Sequence, residues 1–176
     1  INKFKSPNFN KRKFFKIEFI IIHYTAIKDY ENAISFLCNE KNRVSCHFLI
    51  SQKGNIYSLV DEDKRAWHAG VSFWSGDDDV NSSSIGIELV NPGHEFGYES
   101  FSESQMTSLE VLIKSLIRSY NIPLYNIVGH SDIAPLRKKD PGELFNWKRL
   151  ADKNLSIWPE KLSINSFKSI NFGDKN

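Results

Sequence analysis

Very little in this 176-residue chain could staple it, anchor it or give it a bulk charge. There are only two cysteines, Cys38 and Cys46. Two thiols do not make a disulfide framework; they could pair with each other, but free buried thiols are the simpler reading. The longest apolar run extends only from Phe19 to Ile22. A bilayer-spanning helix needs about 20 such residues, which excludes a transmembrane protein. The net charge is +2, too small for a whole-chain argument for nucleic acid as a partner. There are no repeats and no low-complexity blocks. What is present is globular composition, with 40% hydrophobic and 25% charged residues. Such a chain can bury a core in one domain without disulfides or a structural metal. It begins at Ile1, as a processed or trimmed product would, and no charged-then-apolar leader is visible. Together with a basic N-terminal stretch this leans towards an exported, periplasmic form, whereas free cysteines would suit the cytoplasm.

Three segments are expected: a lead-in over 1–16, a domain over 17–159 and a polar, aperiodic tail over 160–176. The lead-in carries Lys3, Lys5, Lys11, Arg12, Lys13 and Lys16, interleaved with Phe4, Phe9, Phe14 and Phe15. A basic arm is conceivable. Pro7 and the asparagines favour an irregular segment lying on the surface, its aromatics packed against the domain. Ile17 to Tyr24 reads as a buried strand. A helix is expected over 29–40, then strands over Cys46–Ser51 and Asn55–Val60 joined by a Gln52-Lys53-Gly54 turn. Residues 71–83 read as a polar loop. Its Asp77-Asp78-Asp79 suits solvation better than calcium, because no ligand ladder continues after it. Ser84 to Val90 reads as another strand. Ser102 to Tyr120 is the clearest helix, with an apolar stripe from Met106 to Tyr120 and a capping-box spacing at Ser102 and Gln105. A short strand over Tyr125–His130, a loop over 134–142 and a short helix over Trp147–Lys153 complete an α/β domain. Its expected architecture is one mixed sheet covered by helices.

His23 and His130 each close a strand. If those strands are neighbours, two imidazoles converge, and a carboxylate would complete a three-ligand zinc site with an open position. Asp140, ten residues beyond His130, lies in a loop able to fold back over the strand end. Asp132 is a rival third ligand, although Ser131-Asp132 better suits a cap or an outer hydrogen bond. The plain alternative stays open: hydrogen-bonded strand-end histidines and a turn aspartate. Glu88 is the second anomaly, a carboxylate inside Ile85-Gly86-Ile87-Glu88-Leu89. It is costly there unless it faces a wet or metal site, where it could act as a base, or unless the strand is a solvated edge. Gly86 beside it suggests a close approach to the backbone. His47 reads as a packed histidine that could also line a groove, and His94 as an exposed residue after a turn.

Several strings, in order, resemble one family. Ile21-Ile22-His23-Tyr24-Thr25-Ala26 is similar to the first zinc-ligand motif of the type 2, AmpD-like N-acetylmuramoyl-L-alanine amidases, relatives of phage T7 lysozyme and the peptidoglycan recognition proteins. Val44 to Gly54, Arg65-Ala66-Trp67-His68-Ala69-Gly70, Ser84 to Leu89, and Gly129 to Gly142 agree in spacing. The resemblance spans roughly residues 6–159. It implies a central mixed β-sheet with helices on both faces and a Zn2+ held in a groove by His23, His130 and Asp140. Glu88 takes the place of the catalytic glutamate and Lys138 that of the catalytic lysine, with Lys139 at a variable position. Trp67, His68, Ala69 and Gly70 are expected in the groove wall, with His47 as a further candidate. The implied reaction is hydrolysis of the amide between N-acetylmuramic acid, or its anhydro form, and L-alanine of the stem peptide. The partner is then peptidoglycan or a muropeptide. A recognition module of the same fold that binds without cleaving, and a zinc hydrolase of another amide, are the rival readings. The presence of Asp140, Glu88 and Lys138 together favours the enzyme. Oligomeric state leaves no mark in the sequence.

Overall fold

The structure is a computed structural model that describes residues 1–13 and 16–159. The tail expected over 160–176 lies outside the described residues, as do Phe14 and Phe15. In chain order the strands are β1 (Asn2–Lys3), β2 (Phe9–Lys11), β3 (Phe19–Tyr24), β4 (Phe48–Ile50), β5 (Ile56–Ser58), β6 (Lys64–Ala66), β7 (Ser84–Leu89) and β8 (Ile127–Gly129). The helices are α1 (Tyr30–Leu37), α2 (Val80–Ser83), α3 (Gly93–Phe96), α4 (Glu103–Tyr120), α5 (His130–Ile133) and α6 (Trp147–Asp152).

Six strands form one mixed sheet in the order β1-β5-β4-β7-β3-β8. The four strands from β4 to β8 run parallel to one another, and β5 is antiparallel to β4. Parallel strands covered on both faces need apolar side chains on both faces. That is why Phe19 to Ile22 and Ile85 to Leu89 read as nearly unbroken apolar runs. Alternation then divides them. Ile20, Ile22, Ile85, Ile87 and Leu89 pack on one face with the α4 stripe of Met106, Leu109, Leu112, Ile113 and Leu116 and with Leu150 of α6. Leu49 and Val90 meet Ala33, Ile34 and Leu37 of α1 on the opposite face. Phe19 and Ile21 share that opposite side with Ala69, Val80 and Val128.

The start of α4 is fixed by its capping box. Ser102 Oγ accepts from the Gln105 backbone N–H at 3.1 Å, and the Ser102 N–H donates to Gln105 Oε1 at 3.2 Å. Asn121, in the left-handed region at φ 53, stops the helix. Cys38 and Cys46 are free thiols, and Cys46 is buried. No helix among the described residues is long and apolar enough to cross a membrane.

Four expectations need correction. The stretch over 1–16 is not an irregular surface lead-in. β1 adds to the sheet edge alongside β5, β2 pairs with β6 in a second, two-stranded sheet, and Arg12 is buried, donating to the carbonyls of Glu62, Asn81, Ser82 and Ser84. These strands are too short for an alternating pattern and are made by partners distant in sequence. The loop over 71–83 is polar but not wholly solvated. α2 is buried, and Asp79 is held by Arg65 and Lys13. β6, with the sequence Lys-Arg-Ala, was not foreseen. Finally, β8 ends at Gly129, so His130 opens a helical turn and does not end the strand.

Ser102→Ala should lower stability by about 1 kcal/mol, read as a shift in urea midpoint at unchanged slope. An unchanged midpoint would contradict the assigned cap.

Candidate metal centre and active site

β3 lies between β7 and β8, all three parallel, with their carboxyl ends together. The chain leaves β3 through α1 on one face and leaves β7 through α4 on the other. A crevice therefore opens beyond the strand ends where the connections diverge, the usual place for a site in such sheets. His23 and Glu88 are register partners on β3 and β7, so their side chains emerge side by side on the face away from α4. Ile22 of β3 pairs with Gly129 of β8, which brings His130 alongside one residue later. Asp132 Oδ2 accepts from the Gly129 N–H at 2.7 Å, a cap on that turn and not a ligand position. The loop after α5 folds back, its Asp140 carbonyl accepting from the Ser131 N–H at 2.8 Å.

The result is a cluster of three atoms. His23 Nδ1 and His130 Nδ1 are 2.9 Å apart, and each is 3.0 Å from Asp140 Oδ2. All three residues are buried. Ligands at about 2.0–2.1 Å from a tetrahedral zinc stand roughly 3.3 Å from one another, so the cluster has the right size. The chemistry of the donors also fits. His130 Nε2 lies 3.0 Å from the Ala69 carbonyl, which can only accept, so the His130 proton sits on Nε2. Its Nδ1 therefore turns a lone pair towards a carboxylate. Burial, reinforced by the neighbouring His130, lowers the His23 pKa to about 4, leaving that ring neutral. Burial acts to raise the Asp140 pKa, but the two imidazoles set against its carboxylate hold it well below the usual carboxylate range. A neutral His23 and an ionised Asp140 are protonation states that a divalent metal requires of its ligands.

Glu88 borders the same space. Its Oε2 is buried and has no hydrogen-bond partner among the described residues. Desolvation, with the Asp140 charge second, pushes its pKa up to about 8, against the pull of Lys138. An unpartnered buried carboxylate next to a cation site is placed for proton transfer. The groove in front has a volume of about 400 Å³ and is bordered by His23, Tyr24, His68, Glu88, His94, Arg137, Lys138, Lys139 and Asp140 among others. Of the two neighbouring lysines, Lys138 is the more buried, and its charge acts on both His23 and Glu88.

The expected groove wall is placed differently. Of Trp67, His68, Ala69 and Gly70, only His68 borders the groove, and it is 5% exposed. Trp67 turns away, its indole N–H donating to Asn10 Oδ1 at 2.8 Å, and Gly70 lies against the Arg137 guanidinium. His47 is fully buried off the groove, accepting from the Gly86 N–H at 3.0 Å. Alternation gives the face a residue occupies but not its depth, which is why these residues were indistinguishable from groove residues in the sequence.

His94, expected to be exposed, borders the groove instead. It accepts from the Tyr24 hydroxyl at 2.8 Å, donates to Glu143 at 2.9 Å and stacks on Tyr98 with centroids 4.3 Å apart. Gly93 before it, at φ 70, leaves no room for a Cβ against Tyr24. The Asn91-Pro92-Gly93 turn was the one sequence signal that could have drawn attention to His94.

Comparison with known proteins agrees with this geometry. Residues 13–143 match the N-acetylmuramoyl-L-alanine amidase family. The chain belongs to that family. It is 38% identical over 164 residues to the N-acetylmuramoyl-L-alanine amidase AmiD of Escherichia coli K12, covering 86% of this chain and 58% of that protein. It is 44% identical over 108 residues to the 1,6-anhydro-N-acetylmuramyl-L-alanine amidase AmpD of Haemophilus influenzae, covering 61% of this chain and 56% of that one. It thus spans somewhat over half the length of these relatives. A solved structure of E. coli AmiD, in complex with anhydro-N-acetylmuramic acid-L-Ala-D-gamma-Glu-L-Lys, superposes with a TM-score of 0.75 at 39% identity, over 82% of this chain and 60% of that one. A crystal structure of AmpD superposes at 0.73 with 30% identity, over 89% and 94%. The fold is that of these amidases.

The raised Glu88 pKa has a measurable consequence in metal-free protein. Between about pH 4.5 and about pH 8 the folded state holds a proton on Glu88 that the unfolded chain has released. The folded state binds more protons there, so this residue's contribution to stability falls as pH rises. Glu88→Gln removes that loss. Its stability advantage over the parent protein should therefore grow through that window in urea unfolding. An advantage that stays constant would contradict the assignment.

Proposed function

We propose that the protein is a zinc-dependent amidase. Its substrate is the amide between N-acetylmuramic acid, or its anhydro form, and L-alanine of a peptidoglycan stem peptide. One observation carries the reading: the cluster of His23 Nδ1, His130 Nδ1 and Asp140 Oδ2 shares a groove with Glu88, whose buried Oε2 has no hydrogen-bond partner among the described residues. Family membership supports it, as do AmiD and the AmpDH3 of Pseudomonas aeruginosa, the latter solved with anhydromuramic pentapeptide.

His23, His130 and Asp140 would hold the metal. When bound, zinc supplies Lewis acidity at the scissile carbonyl and a water of pKa near neutrality. The remaining work falls to the chain's own residues. Glu88 would take the proton of the attacking water and deliver it to the leaving L-alanine amine. Lys138 holds a fixed positive charge where the carbonyl oxygen becomes anionic. Arg137, Lys138 and Lys139 give that side of the groove a charge suited to the carboxylates of a stem peptide.

The test is release of L-alanine-terminated peptide from a muramoyl-tripeptide, in parallel with sacculi and anhydro-muropeptides. A chelator should abolish cleavage and added zinc should restore it. Glu88→Gln should keep its zinc and lose roughly 10²–10⁴-fold in turnover, whereas His23→Ala should lose the zinc itself. Full activity in Glu88→Gln, or stoichiometric zinc in His23→Ala, would overturn the assignment.

A further inference from the structure

Outside the ligands and Glu88, the buried His68 has no part in the proposed reaction, yet it touches a ligand directly. His68 Nδ1 lies 3.1 Å from His23 Nε2, with the rings edge to face at 5.1 Å. On its other side, His68 Nε2 lies 3.2 Å from Ser84 Oγ. Ser84 Oγ in turn donates to the Val80 carbonyl.

The direction of every proton in this chain follows from its end. A carbonyl can only accept, so the single Ser84 proton points to Val80. Ser84 Oγ must then accept from His68, which puts the His68 proton on Nε2. His68 Nδ1 is left with a lone pair, so His23 Nε2 must donate to it. With its proton on Nε2, His23 turns a lone pair outward at Nδ1. Its lone pair, that of His130 and the Asp140 carboxylate then all face one point, where a cation would satisfy them.

The same short segment orients the second ligand, because the Ala69 carbonyl takes the His130 Nε2 proton. The segment is itself pinned. Asn81 Oδ1 accepts from the His68 N–H at 3.0 Å and from the Ala69 N–H at 2.8 Å. Gly86 makes room for the His68 ring, since a Cβ there would lie 2.4 Å from His68 Cγ.

We propose that His68 is a positioning residue for the metal and not a substrate contact. Relayed from Val80 through Ser84, it fixes His23 as the tautomer that ligates through Nδ1, while its neighbour Ala69 does the same for His130. The inference rests on reading His23, His130 and Asp140 as a metal centre.

The test is zinc affinity, by competition with a chromophoric chelator, without substrate. His68→Leu should bind zinc about 10–100-fold more weakly. His68→Asn can present its side-chain oxygen as an acceptor in place of Nδ1 and should recover most of that loss. A merely structural role predicts no such recovery. Ser84→Ala removes the relay at little cost in volume and should weaken binding in the same direction by a smaller factor. In the zinc-loaded parent protein, ¹⁵N-histidine spectra should show His68 protonated at Nε2 only. Folded His68→Leu or Ser84→Ala binding zinc as tightly as the parent, or a His68 proton on Nδ1, overturns the proposal. A parent protein that takes up no zinc would instead sink the metal reading beneath it.

Discussion

Three lone-pair atoms turned inward on one buried point are the constraint around which this domain is arranged. Buried acceptors are ordinarily given donors, because each one left without a partner costs about 1–3 kcal/mol. Here His23 Nδ1, His130 Nδ1 and Asp140 Oδ2 face one another at 2.9–3.0 Å. Glu88 adds a carboxylate oxygen with no partner among the described residues. A bound cation would compensate this concentration of acceptors. The same crowding shows in the protonation: burial first, and the Asp140 charge second, push the Glu88 pKa up, while Asp140 is held low.

Everything that delivers these atoms is rigid. The parallel register of β8, β3 and β7 sets the lateral spacing of His130, His23 and Glu88. Their apolar runs, buried by α4 on one side and α1 on the other, keep the strand ends in place. The His68–Ala69 segment, fastened by Asn81 beneath it, occupies the layer behind the ligands. It supplies acceptors to both histidines, so orientation and tautomer are settled before any metal arrives. The groove in front combines a basic side at Arg137 to Lys139 with an aromatic side at Tyr24 and His94. In the proposed reaction, proton transfer, carbonyl activation and peptide binding would fall to different faces of one space.

Much of this was legible in the residues, for reasons that differ by element. β3 and β7 announced themselves because strands buried on both faces must be apolar throughout, and α4 because its stripe and capping box agree. Glu88 and Gly86 stood out as violations of an apolar strand. The structure accounts for both, the first by the groove and the second by the His68 ring lying against its backbone. β1, β2 and β6 left no trace. Strands of two or three residues have no periodicity, and their pairing is decided by distant partners. His47, His68 and His94 could not be sorted for a related reason. Local pattern says which face a side chain takes, but whether it lies in the core, behind a ligand or at the rim depends on what packs over it. Arg12 shows the same limit at the N-terminus, where a basic residue that resembled a solvated charge is spent on buried carbonyls.

The most direct test of the central claim is X-ray absorption at the zinc edge of the metal-loaded protein, combined with metal stoichiometry. The account predicts stoichiometric zinc with two imidazole nitrogens and light-atom neighbours only, at about 2.0–2.1 Å. A sulfur neighbour at about 2.3 Å would place the metal on a cysteine instead, and failure to retain zinc would contradict the proposed metal centre.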